Sequence, residues 1–380
     1  MGYVNYFKSS WSRLYLIFAI SLSMASGEQD KSEWFIFRGD SQLSGKAQNQ
    51  IFDAYGLAWE YNTFEPIKSS TVVGNGLAYI ASTDGQVHAL NLVSGELEWS
   101  FKNEYPFEAS PLLAQGMLFI GSVEGIMYAL NARSGILLWK FVTDGQIIGS
   151  ANLTSGDNPL LVFGSYDNFL YALIPESGEE VWKYETTHFI NGAPAVDESS
   201  ITFGGCDAIL HSISPSTGEE IQSRNLEIYL AGSPSMEQNR IYVGTYGGSM
   251  FCLDSGLNKT LWEFQSGEDA APILSSPALG ISRIFFGSRD RKLYCLNKNT
   301  GREIWTFNTQ GEIDSSPVVS GNRVVAASKD GGLYILNALN GKEVWQYNVG
   351  SAILSSPAIT KNYMLIGSQS GVLYAFKAKQ

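Results

Sequence analysis

The sequence predicts an all-β fold, an eight-bladed β-propeller of four-stranded antiparallel blades, closed by an N-terminal strand that completes the last blade. Three observations predict it. One phrase recurs with its tryptophan at Trp59, Trp99, Trp139, Trp182, Trp262, Trp305 and Trp345, with Gln222 in the slot after Trp182, and successive slots are 40 or 43 residues apart. Each copy holds four short apolar runs separated by turn residues, as in "SSPVVS", "NRVVAAS", "GLYILNA" and "EVWQYNV". The last copy stops at Gln380, short of its own tryptophan, whereas "LAWEY" around Trp59 has no strands before it. One N-terminal strand can therefore complete the final blade and remove the open edge.

The elements are legible in chain order. Residues 1–25 carry Lys8 and Arg13, then the apolar run "LYLIFAISLSMA" and small residues. That is the layout of a secretory signal peptide, with an apolar core too short to span a bilayer. Cleavage is expected between Ala25 and Gly27, leaving no transmembrane span. No cysteine lies near that site, so no lipid anchor is expected. Residues 26–56 form a segment leading into the ring, and 57–380 form the propeller. Within each blade, Lys329-Asp330-Gly331 and Asn340-Gly341 mark turns in which Gly or Asn supplies positive φ. The third run, Leu333-Tyr334-Ile335-Leu336, is apolar on both faces, as a sheet packed between two neighbours requires. The tryptophan on the outer strand is read as a seam residue between blades.

Composition excludes several function classes. The chain carries 25 Lys and Arg against 37 Asp and Glu, a formal charge of −12, so no nucleic-acid partner is expected. Cys206, Cys252 and Cys295 are too few and too far apart for a disulfide framework. His88 and His211 occupy the slot that tyrosine fills in Tyr128, Tyr171, Tyr294, Tyr334 and Tyr374, which marks them as core residues and leaves His188 in a loop. One histidine is too few for a zinc site. No G-x-S-x-G, P-loop or dinucleotide fingerprint stands in a strand-turn-helix context, and no catalytic residue is assigned.

The repeat Gly-Ser-x-Asp-Gly-x-Leu-Tyr-Ala-Leu-Asn-x-x-Thr/Ser-Gly-x-x-x-Trp, present at Gly121 to Trp139, Gly164 to Trp182 and Gly287 to Trp305, resembles that of pyrroloquinoline-quinone (PQQ)-like propellers. The opening "WFIFRGDSQLSG" is similar to the segment before the first blade in secreted bacterial members. The resemblance implies one of two branches. Quinoprotein dehydrogenases hold PQQ and calcium near the axis over a tryptophan floor, in many members beside a disulfide of adjacent cysteines. BamB-like propellers are non-enzymatic and bind the β-barrel assembly machinery of the outer membrane. This chain lacks a Cys-Cys pair, and its tryptophans from Trp59 on are committed to the repeat slot. The expectation is therefore a monomeric, non-catalytic, BamB-like protein-binding scaffold, periplasmic or secreted, with no PQQ, calcium or other cofactor. A PQQ- or calcium-dependent oxidoreductase and a glycan-binding propeller are the alternatives.

Strand alternation places the links between blades on one face with the Asp-Gly turns. These loops carry the expected binding rim: Tyr105, Phe107, Glu108, His188, Phe189, Ile228, Tyr229, Glu268, Asp269, Glu312 and Asp314, together with Phe64, Asp144 and Ile147. Carboxylates beside exposed aromatics suit a protein contact and would steer a basic partner. The copy at Gln222 is irregular, and the following "LEIYL" is unusually apolar for a link, so weaker packing is expected to free that outer strand and loop.

Overall fold

The computed structural model describes Met1 and residues 33–230, 232–266 and 270–379. The expected signal peptide, Met1 aside, lies outside the described residues, and so do Glu268 and Asp269. Among the described residues, strands alone build eight four-stranded antiparallel sheets. Blade 1 runs outward from Val72–Gly74 through Leu77–Ala81 and Gln86–Asn91 to Leu97–Lys102, and six more blades repeat that order. The eighth joins Ala358–Ile359, Tyr363–Gly367 and Val372–Ala378 to Tyr55–Asn62, paired from Tyr55 opposite Ala378 to Asn62 opposite Val372. The ring is thus closed by the N-terminal strand.

Burial follows the blade. The inner three strands are buried on both faces, and the outer strand alternates between exposed and half-buried residues. That pattern follows from stacking each sheet between two others, and it explains why the third run reads as continuous apolar sequence.

The recurrent tryptophan and the recurrent glycine are two halves of one seam. The indole N–H of Trp99 donates to the carbonyl of Ala132 in the next blade at 3.0 Å, and Trp59 does the same to Leu92 at 3.0 Å, joining blade 8 to blade 1. Six of the seven rings lie against a turn glycine, as Gly135 does at Trp99, Gly178 at Trp139 and Gly341 at Trp305, and Trp345 meets the Tyr55 ring instead. These glycines have φ near 70°, and a Cβ on Gly135 would stand 2.5 Å from the Trp99 ring. Gly135→Ala combines left-handed strain with overpacking, so it is expected to destabilise by about 2–4 kcal/mol, read from equilibrium urea denaturation.

The seam at Gln222 is rebuilt rather than loosened. Leu257 enters the facing turn with φ of 54° and is buried, and the Arg224 guanidinium donates to the Leu257 carbonyl at 3.2 Å and to the Thr260 hydroxyl at 3.0 Å. The outer strand Glu220–Asn225 stays fully paired, and Leu226 and Leu230 are buried. The expected freeing of this strand is therefore corrected: an aliphatic side chain and an arginine replace the indole's volume and its hydrogen bond.

The repeated aspartate is structural in the same way. One oxygen of Asp330 accepts the Gly332 N–H at 2.7 Å and the other accepts the Tyr334 hydroxyl at 3.0 Å, bracing the turn against the third strand. Asp167 repeats this with Phe169 and Tyr171. Where the tyrosine slot holds histidine, the preceding blade changes with it. Phe141, Phe264 and Phe307 lie against Tyr171, Tyr294 and Tyr334, but Tyr61 and Tyr184 lie against His88 and His211, within hydrogen-bond reach of Nδ1 at 3.2 and 3.1 Å. The chain Asp207–His211–Tyr184–Glu220 looks like a proton relay. Both ring positions recur around the propeller as packing pairs and His211 is buried, so the relay is a polar variant of the seam.

Candidate functional site on the loop face

Residues 34–47 cross the axis and close it from within. Backbone N–H groups of the innermost strands donate to this segment one blade after another: Val73 to Trp34, Leu113 to Phe35, Val196 to Ser41, Met236 to Gln42, Leu279 to Ser44 and Val319 to Gly45. The inner edges that a ring would leave unpaired are thereby satisfied. At the centre the buried Arg38 side chain donates to the carbonyls of Pro317 and of Pro277, the latter at 2.9 Å. Burial lowers its pKa to about 9, against the favourable charge of Asp40. Sequence reading placed this segment before the ring; its place inside the ring depends on contacts over more than two hundred residues.

Above the plug, the axis opens on the loop face as a cup of about 190 Å³ with Phe37 in its lining. Its wall is a ring of serines at matching positions. Ser70 donates its backbone N–H to Ser110 Oγ at 2.7 Å, Ser233 to Ser276 at 3.1 Å, Ser276 to Ser316 at 2.9 Å, Ser316 to Ser356 at 3.0 Å, and Ser356 back to Ser70 at 2.8 Å. Ala193 donates likewise to Ser233. The "SSP" phrase that marked inner strands in the sequence is thus also the circumference of the cup. At its rim stand Lys68, Glu108, Asn191 and Asp314.

The structure divides the expected rim residues into three groups. Tyr105, Phe189 and Tyr229 are exposed, as is Phe64. Phe189 stacks on Tyr166 with centroids 4.9 Å apart and an interplanar angle of 3°, and His188 meets its edge at 4.5 Å. Phe107 and Ile147 are instead fully buried, with the Phe107 ring 5.9 Å from that of Tyr128, and Ile228 is half-buried against Gly247. The expectation of an exposed Phe107 is corrected, because Phe107, like Ile147 at the next link, turns inward to pack against the blades. The third group is the carboxylates, which carry their own cations. Glu108 pairs with Lys68 at 2.6 Å. Asp314 takes a bidentate pair from Arg289 at 2.9 and 3.0 Å and a third bond from Lys329 at 2.7 Å, and Lys329 also pairs with Glu312. Burial alone would raise the Asp314 pKa, but the hydrogen bonds from Arg289 and Lys329 outweigh it and hold the carboxyl below its ordinary value. Sequence reading missed Lys68, Tyr166, Arg289 and Lys329, since residues far apart in the chain meet only when the ring closes.

Residues 107–380 match the family described as "Beta-alanine-activating enzyme, beta-propeller". The chain belongs to this propeller family. No curated protein matches the chain. Solved structures similar to this family member include BamB from Moraxella catarrhalis, 20% identical, covering 86% of this chain and 98% of that one with a TM-score of 0.73. A quinohemoprotein alcohol dehydrogenase from Comamonas testosteroni is 13% identical, covers 92% of this chain and 81% of that one, and has a TM-score of 0.78. The computationally designed Ika8 protein is 15% identical, covers 85% of this chain and all of that one, with a TM-score of 0.75. At these identities the likeness is one of fold, shared by BamB, an alcohol dehydrogenase and a designed protein.

Within this family member the axial residues do not fit a quinone held over calcium. The cup is smaller than the ~300–1,000 Å³ of ordinary small-molecule sites, and its lining contains no tryptophan. Lys68, the lining cation, is engaged by Glu108, and Asp314 is saturated by Arg289 and Lys329. Among the described residues no three His, Cys, Asp or Glu side chains are grouped to hold a metal ion. No helix among them is long and apolar enough to cross a membrane.

Proposed function

We propose that the chain is a non-catalytic protein-binding scaffold of the bacterial envelope, monomeric and periplasmic or secreted, which engages β-barrel assembly machinery through its loop face. The observation that carries this reading is the set of exposed aromatic side chains at the links and turns of blades 3 to 5, Phe189 stacked on the half-buried Tyr166, Tyr229 and Tyr246, with Tyr105 exposed at the link of blades 1 and 2. Rigid aromatics on a scaffold of closed blades suit the anchoring centre of an interface. The neutralised Glu108 and Asp314 leave electrostatic steering to Glu65, Glu104 and Glu227, which are exposed and in no ion pair among the described residues. The likeness to BamB supports the choice of partner, and the poor fit of the cup to a quinone supports a reading without a cofactor.

Crosslinking in intact envelopes, followed by affinity capture, tests the reading with wild type beside Tyr229→Ala and Phe189→Ser. Wild type is expected to recover an assembly component, with each variant reducing affinity about 30-fold, the equivalent of a hot spot worth ~2 kcal/mol. Equal capture by wild type and both variants, or recovery of no assembly component by wild type, overturns the reading.

A further inference from the structure

We infer that the axial cup is a binding site for a compact polyhydroxylated ligand, a single sugar ring or a polyol of that size. Each of the six serines in the hydrogen-bonded ring is only 2–7% exposed. Each Oγ accepts an amide N–H from the neighbouring blade, which fixes the oxygen and leaves the hydroxyl proton to find its own acceptor. Among the described residues no protein atom accepts any of these protons. The companion serine one position earlier behaves differently: Ser69 donates to Ala81, Ser275 to Gly287 and Ser355 to Gly367. The six ring serines line one small cavity together, and Ser150 adds a further hydroxyl to its wall. With no protein acceptor, the six hydroxyl protons are available to whatever fills the cup, and an occupant rich in acceptors can satisfy them in place of water.

The rim supplies the opposite polarity. Asn191 Oδ1 is a buried acceptor with no donor, and Glu108 bonds Lys68 through Oε1, leaving Oε2 without a protein partner. The lining thus combines serine donors with acceptors at Asn191 and Glu108. A simple oxyanion would use the first and be repelled by the second. The ionised groups at and behind the rim, Lys68, Arg289 and Lys329 against Glu108, Glu312 and Asp314, sum to zero, so nothing in the cup selects for charge. A hydroxyl group both accepts and donates, and a ring of them can accept from the serines while donating to Asn191 and Glu108. The cavity of about 190 Å³ is of a size to take one such ring.

The test is titration of the full chain with D-glucose, D-galactose, myo-inositol, sulfate and phosphate, followed by ligand-observed NMR and calorimetry. Glu108→Gln and Asn191→Leu are the variants, each checked for an unchanged thermal midpoint. Ser276→Ala would remove the acceptor of the Ser233 amide as well as a donor, so it serves only as a third variant. Saturable binding of a sugar or the cyclitol is expected, with affinity at least 10-fold lower in Asn191→Leu. No saturable binding of any polyol, or equal binding by both variants, overturns the inference. Saturation by sulfate or phosphate alone also overturns it, in favour of an oxyanion site. Neither variant touches Tyr229 or Phe189, so failure here is separable from failure of the scaffold reading.

Discussion

Replacing Arg38 with alanine is expected to cost about 3–5 kcal/mol of stability and to release the axial plug. The guanidinium is 1% exposed and reaches the carbonyls of Pro277 and Pro317, on the inner strands of blades 6 and 7. Those carbonyls belong to residues that open the inner strands; the Pro277 carbonyl also accepts the Ser235 hydroxyl of blade 5 at 2.8 Å, so Pro317 depends on the arginine more heavily. Removing it leaves the Pro317 carbonyl without its donor, the Pro277 carbonyl with Ser235 alone, the adjacent Asp40 carboxylate without its cation, and a cavity on the axis. Arg38 and Gly39 both hold positive φ, so the chain is bent to deliver this one side chain. Hydrogen exchange should show the loss directly, as faster exchange at Val73, Leu113, Val196, Met236, Leu279 and Val319, whose amides bond the plug. Slow exchange retained at these amides in Arg38→Ala would mean that the backbone ladder alone seats the segment.

The fold was legible because a propeller writes the same local problem eight times. Trp99 and Gly135 are readable as a repeat phrase, although their contact lies across a seam and only the structure shows that one residue's missing Cβ makes room for the other's ring. The closing strand was legible from a deficit at one end matched by a surplus at the other. The loop face was less legible, for a physical reason. Link residues either seal a blade or face solvent, and sequence gives Phe107 and Tyr105 the same apolar weight although the structure buries one and exposes the other. Charge was misread for a related reason: Glu312 and Asp314 stand near each other in sequence, but Arg289 and Lys329, which neutralise them, come from other turns. The carboxylate count set the net charge of the face without locating any free charge on it.

Raising the pH above 10 is expected to unfold the propeller steeply, because its seams are built on un-ionised tyrosines. Burial, in most cases with a hydrogen-bonded or nearby carboxylate, holds the pKa of Tyr128, Tyr171, Tyr184, Tyr242, Tyr294 and Tyr334 well above the ordinary value of 10 and pushes that of Tyr79 up to about 12. In the unfolded chain these phenols ionise near pH 10, so above it the native state binds more protons and stability falls as pH rises. Each fully engaged tyrosine contributes a slope of about 1.4 kcal/mol per pH unit. Arg38 acts in the opposite sense: its depressed pKa of about 9 means that the unfolded chain binds the extra proton, which adds stability between about pH 9 and 12.5. One arginine opposes seven tyrosines, so the tyrosines decide the outcome, and a domain stabilised by about 5–15 kcal/mol should unfold within one to two pH units. Urea midpoints measured from pH 8 to 12 should hold up to about pH 10 and then collapse, with tyrosinate absorbance rising together with loss of structure rather than ahead of it. Tyr171→Phe removes the bond to Asp167 and lowers stability at neutral pH, yet it should make the alkaline slope shallower. Tyrosinate absorbance that rises while the fold persists would show that these phenols ionise in place, and the seams would then owe their stability to the tryptophans and glycines alone.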